Sequence, residues 1–216
     1  MKELMSKITG QQAAPEITDG HALLDLARGW LKQGNPIVAL ELLKAATGSA
    51  EAEQDRRLRA GIYKETGRAL MMQSDWSSAE RYYLGAQQLF LDMSDFTGAA
   101  ECARNRANVF FQQGDYARSE ELCHQALDWA GETNDHQLRA TILNTLGALK
   151  SAAGDFSEAI KVFTLCLADF RAAGNVIRQG YVLLNIGLSQ TECAEYEHAI
   201  ESLNEALRIA FTEKDL

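Results

Sequence analysis

Residues 143–166 read LNTLGALKSAAGDFSEAIKVFTLC, and this stretch decides the fold. Leu143, Leu146 and Gly147 lie three and four residues apart, as on one face of a helix. Gly154 then interrupts, and glycine tolerates the left-handed backbone that closes a helix C-terminus. Asp155 follows at once, and its carboxylate can cap a new helix by accepting a backbone N–H. From Phe156 a second helical stripe runs through Ala159, Phe163 and Cys166. The stretch is two helices joined by a tight turn.

The same hairpin recurs in both directions. Trp76, Tyr116, Phe156 and Tyr196 are aromatic, spaced by 40, and each follows Asp75, Asp115, Asp155 or Glu195. One step earlier the register falls on Asn35-Pro36, and proline fits the first position of a helix, where no donor is needed. Small residues recur before the turn at Ala27, Gly67, Ala107, Gly147 and Gly187, and after it at Ala39, Ala79, Ser119, Ala159 and Ala199. Small side chains there let two helices approach. The other turn keeps the register too, with Asp55, Asp95, Asp135 and Asn175 placed to cap the first helix of each unit. First helices are expected near 20–33, 56–73, 96–113, 136–153 and 176–193, and second helices near 36–49, 76–93, 116–132, 156–172 and 196–212. The repeated aromatics at 76, 116, 156 and 196 are expected to be core packing.

With an aromatic or leucine, then Leu-Gly, a Gly-Asp-aromatic turn, then Ala, an aromatic and Ala, the pattern resembles the tetratricopeptide repeat. Unit two supplies Tyr63, Gly67, Trp76, Ala79, Tyr83 and Ala86. Departures are Thr66 and Arg106 for leucine, Ser119 for alanine and Cys123 for an aromatic. The period of 40 exceeds the usual ~34, which resembles the extended-repeat branch of kinesin light chains, Leu-Gly-Asn scaffolds and bacterial Rap- and MalT-like proteins. HEAT and armadillo repeats share such periods but lack the Gly-Asp-aromatic turn. The resemblance implies an all-α, right-handed superhelical solenoid of five hairpins. Units are expected at about 19–54, 55–94, 95–134, 135–174 and 175–213, in one domain over 19–216 after a flexible segment 1–18.

It also implies that first helices line a concave groove. Family groove positions fall on Arg28, Lys64, Arg68, Arg104, Asn105, Asn108, Asn144, Tyr181, Leu184, Asn185 and Leu188. Arginines can grip carboxylates in a bidentate manner, and amides can pair with both groups of an extended backbone. The expected partner is a protein or peptide segment, with acidic groups on the arginines and an apolar anchor near Leu184 and Leu188. Arg104 and Asn108 resemble half of a chaperone-tail carboxylate clamp, but Thr145 stands where its completing asparagine belongs. The expected function is a non-catalytic interaction scaffold; the alternative is a peptide-responsive regulatory module of a larger signalling or transcription-regulating system.

Composition bounds the rest. The net charge of −9 over 216 residues disfavours nucleic acid and anionic membrane as partners. Cys102, Cys123, Cys166 and Cys193 show no paired spacing, so no zinc site or disulfide framework is expected. His21, His124, His136 and His198 are dispersed, and no catalytic, cofactor or metal constellation is read. No apolar run suggests a leader or a membrane span, and the expected location is cytoplasmic. Ile200, Leu203, Leu207, Ile209 and Phe211 are expected to lack cover, and Asp215 repeats the cap register. The expectation is a fragment of a longer repeat array or a homodimer through this C-terminal edge.

Overall fold

In the computed structural model the described residues are 19–212, and the expected flexible segment 1–18 and the Asp215 cap position lie outside them. Among the described residues every regular element is a helix: α1 (Gly20–Lys32), α2 (Pro36–Thr47), α3 (Ala50–Gln54), α4 (Arg56–Met72), α5 (Trp76–Asp92), α6 (Phe96–Gln112), α7 (Tyr116–Gly131), α8 (His136–Ala152), α9 (Phe156–Ala172), α10 (Val176–Glu192) and α11 (Tyr196–Thr212). The all-α solenoid of helical hairpins is therefore the architecture. The helices fall into two compact units, one ending at Ser94 and the other beginning at Asp95.

In the first unit, α1 pairs with α2 and α4 with α5. The short α3 was not expected. Gly48 ends α2, and Ser49 starts a new helix by accepting the Ala52 N–H at 3.3 Å. The core of this unit gathers Leu23, Leu24, Leu42, Leu43, Leu58 and Ile62.

In the second unit, α6 pairs with α7, α8 with α9 and α10 with α11, and each hairpin packs on the next. Its core runs from Ala100 to Ile186 through Leu122, Ile142, Phe163 and Phe170. No described helix is long and apolar enough to cross a membrane.

The turns explain the register. Gly34, Gly114 and Gly154 have φ of 77°, 79° and 81°, and the in-register Ser74 and Ala194 adopt the same left-handed region at 61° without being glycine. Each cap residue binds the backbone N–H three positions on: Asn35 takes Val38, Asp75 takes Ser78, Asp115 takes Arg118 and Asp155 takes Glu158. A cap of this kind contributes about 1 kcal/mol. The Ser78 N–H holds the Asp75 carboxyl below its ordinary pKa, and the Leu58 N–H does the same for Asp55. Close approach is equally specific: a Cβ on Gly147 would lie 2.5 Å from the Phe163 ring, and one on Gly67 would lie 2.8 Å from Tyr83. Ser119, which stands where alanine is usual, is fully buried and donates to the Ala107 carbonyl at 2.9 Å.

One expectation fails. Trp76 and Phe156 are only half-buried and Tyr116 and Tyr196 are 39% and 63% exposed, so none of the four is a core residue. Each opens a second helix at the rim of its hairpin, where one side faces solvent. Tyr116 instead stacks on Phe111 across the turn, with centroids 5.7 Å apart.

Candidate functional site

The second unit sets three first helices side by side, with α8 touching both α6 and α10. Polar bridges fix the spacing of α8 and α10 at both ends. Asn175 Nδ2 donates to Gln137 Oε1 at 3.0 Å near their N-termini, and Ser151 and Ser189 hydroxyls meet at 3.3 Å near their C-termini. Between these bridges lies a cavity of about 160 Å³ bordered by Asn144, Tyr181, Leu184, Asn185, Arg178 and Phe170. Four residues expected at the groove, Asn144, Tyr181, Leu184 and Asn185, thus converge on one pocket.

The lining is chemically mixed in a useful way. Asn144 and Asn185 are half-buried on adjacent helices, and each amide carries both donor and acceptor. Tyr181, Leu184 and Leu188 are exposed by 59%, 42% and 54% and form an apolar stripe down α10. On α6, Arg104 donates to Asn105 Oδ1 at 2.6 Å, and Asn108 is half-buried one turn further on. Arg104 and Arg178 place positive charge on α6 and α10. Thr145 is buried and donates to the Thr141 carbonyl at 3.3 Å, so the missing clamp asparagine is replaced by a residue turned into its own helix.

The expected basic residues of the first unit behave differently. Arg28 Nε lies 3.3 Å from Glu65 Oε1 and its Nη1 lies 3.0 Å from Asp25 Oδ1. Arg68 Nη1 lies 3.7 Å from Glu65 Oε2. Two arginines are thereby matched by two carboxylates, and Glu65 is nearly buried beneath them. Lys64 Nζ sits 5.9 Å from the Phe90 ring centroid, a cation–π distance. Arg28 and Arg68 are therefore charge-balanced within their own unit, and Lys64 lies beside an aromatic ring there.

Arg178 and Phe170 were missed by the repeat register. Arg178 stands three residues before Tyr181 and seven before Asn185, and that helical spacing could have found it. Phe170 reaches the pocket from α9, which only packing could show. A buried carboxylate was also missed. Asp169 accepts from Arg139 and meets His136 Nδ1 at 2.9 Å, although the four histidines had looked unrelated to any cluster. Among the described residues no group of three or more His, Cys, Asp and Glu side chains could hold a metal ion.

Comparisons with known proteins agree with the fold. Tetratricopeptide-repeat family patterns match residues 99–172 and 181–213. The structure resembles that of BtubC (BKLC) from P. vanneervenii, with a TM-score of 0.77, 21% identity, and coverage of 90% of this chain and 80% of that one. It resembles the kinesin light chain-like repeats of Podosopora anserina, with a TM-score of 0.70, 16% identity, and coverage of 91% and 96%. It also resembles a Rap protein complexed with competence and sporulation factor, with a TM-score of 0.82 and 16% identity, covering 98% of this chain but only 59% of that one. With the 40-residue register, the left-handed turns and the glycine-to-aromatic contacts, these matches identify the chain as a member of the tetratricopeptide-repeat family.

Proposed function

We propose that the chain is a non-catalytic interaction scaffold that binds a peptide segment of a partner protein on the α6–α8–α10 face. The observation that carries this reading is the convergence of Asn144, Asn185, Tyr181 and Leu184 on one pocket. Its volume, about 160 Å³, is below the ~300–1,000 Å³ of small-molecule sites and suits a single side chain of a longer ligand. The two amides match the backbone of an extended segment, and the α10 stripe receives its apolar anchor. Acidic groups of the segment would face Arg104 and Arg178. The ion-paired Arg28 and Arg68 are weaker candidates, because Glu65 and Asp25 already balance them.

The test is selection from a random peptide library, followed by fluorescence polarisation with the selected peptides. Asn144→Ala with Asn185→Ala should weaken binding about tenfold or more at unchanged helical content, since two hydrogen bonds of ~1 kcal/mol are lost. Arg104→Glu should weaken acidic peptides and flatten their salt dependence. Peptides bound equally well by all variants would place the site elsewhere.

A second reading is a peptide-responsive regulatory module. The likeness to a Rap protein complexed with competence and sporulation factor favours it, and the chain spans 59% of that protein. A peptide that alters hydrogen exchange far from α8 and α10 would support this reading over a passive scaffold.

A further inference from the structure

Adjoining the peptide face, with Tyr181 and Leu184 common to both, α10 and α11 carry a group of exposed apolar side chains. Ile177 and Tyr181 on α10, and Ile200, Leu207 and Phe211 on α11, are 53–64% exposed. Between the two helices lies an apolar cavity of about 430 Å³, bordered by Tyr181, Leu184, Leu203, Leu207 and Ala210. A contiguous apolar surface of this kind marks an interaction site.

The repeat itself shows what such a surface accepts. Leu203, Ala206, Leu207 and Ala210 hold the register positions of Phe163, Cys166, Leu167 and Phe170, one unit earlier. Those four are 1%, 0%, 6% and 2% exposed, because α10 packs across α9 and seats Val182 and Ile186 there. The complementary object is therefore an antiparallel helix with apolar residues at i and i+4. Helix α11 meets that description, since Leu203 and Leu207 stand at i and i+4, flanked by Ile200 and Ala210 at three-residue steps.

We propose that this face binds a second copy of the chain, α11 against α11 in antiparallel orientation about a two-fold axis. Placing Leu203 against Leu207 of the partner subunit sets Ile200 opposite Ala210 of the partner subunit. The rim charges then agree in sign. Glu201 and Arg208 lie seven residues apart on the stripe bordering the apolar seam, so Glu201 of one copy falls beside Arg208 of the partner subunit, twice by symmetry. Arg208 is 76% exposed and only loosely held within its own chain, 3.9 Å from Glu205, whose same oxygen Arg171 also engages at 3.3 Å. Its guanidinium can therefore turn to an opposing carboxylate. The pairing runs along α11, whereas Asn144 and Asn185 stand on α8 and α10; Tyr181 and Leu184 border both cavities.

The experiment is molar mass by light scattering on the full chain across a dilution series, with helical content checked by circular dichroism. The wild type should be dimeric at the upper concentrations and dissociate on dilution. Leu207→Glu, at an exposed position, should give a folded monomer. Glu201→Arg and Arg208→Glu should each weaken the dimer about tenfold or more, and the double exchange should recover it, because the pair is restored with its signs reversed. A wild type that stays monomeric overturns the proposal and leaves the face to a helix of another protein. A dimer indifferent to Leu207→Glu, or a double exchange no better than the single ones, overturns it as well.

Discussion

Arg139 grips the buried carboxylate of Asp169 with two hydrogen bonds, Nε to Oδ2 at 2.6 Å and Nη2 to Oδ1 at 2.9 Å. The Asp169 side chain is 3% exposed, and His136 approaches the same carboxylate. No other repeat has this arrangement, since Ser49, Leu89, Trp129 and Ile209 hold the register position of Asp169.

Removing only one partner of this pair strands a buried charge. Arg139→Ala is expected to destabilise the fold by about 2 kcal/mol, below the usual ~3–5 for a buried pair, because Arg139 is half exposed and His136 remains. Replacing both, with Arg139→Gln as at Gln179 and Asp169→Leu as at Leu89, should recover most of that loss. Urea denaturation of the three variants checks the cycle; equal losses in the single and double variants would contradict it.

Ser74 and Ala194 occupy left-handed backbone that Gly34, Gly114 and Gly154 fill in the sister turns. A side chain there costs roughly 1 kcal/mol, and the flexibility that glycine adds to the unfolded chain offsets part of it. Ser74→Gly and Ala194→Gly should each stabilise by about 0.5 kcal/mol, measured as a higher urea midpoint at unchanged slope. Gly154→Ala should do the reverse.

Burial pushes the thiols of Cys123 and Cys166 up to about 12, from an ordinary value of 9.0. The Cys166 thiol also donates to the Ala140 carbonyl at 3.1 Å. A raised pKa disfavours the thiolate in the folded state. Both thiols should resist thiol-specific reagents at mildly alkaline pH until the chain unfolds, while the partly exposed Cys193 reacts first. The stability these two thiols contribute is complete below their unfolded pKa near 9 and is lost as pH rises towards 12. Quantifying reacted thiols with and without denaturant tests the assignment.

Much of this architecture was legible in local chemistry. A glycine or its stand-in, an Asp or Asn cap and a small residue each act within a few positions, so their recurrence at 40 sufficed to locate both turns of nearly every hairpin. Asn144, Asn185, Tyr181 and Leu184 were also legible through the repeat resemblance, which assigns them groove positions, and helical spacing puts the last three together on α10. What sequence could not supply was any quantity that depends on two distant segments. The neutralisation of Arg28 and Arg68 by Glu65, the entry of Phe170 into the pocket and the Arg139–Asp169 pair all join residues that no local pattern relates. The exposure of Tyr116 and Tyr196 belongs with them, since an aromatic at a repeat position is buried only where a neighbouring helix covers it. Sequence thus determined the periodic backbone of this protein, whose causes are local. The tertiary structure decided which charges are balanced and which apolar faces stay open, because electrostatic pairing and burial act through space rather than along the chain.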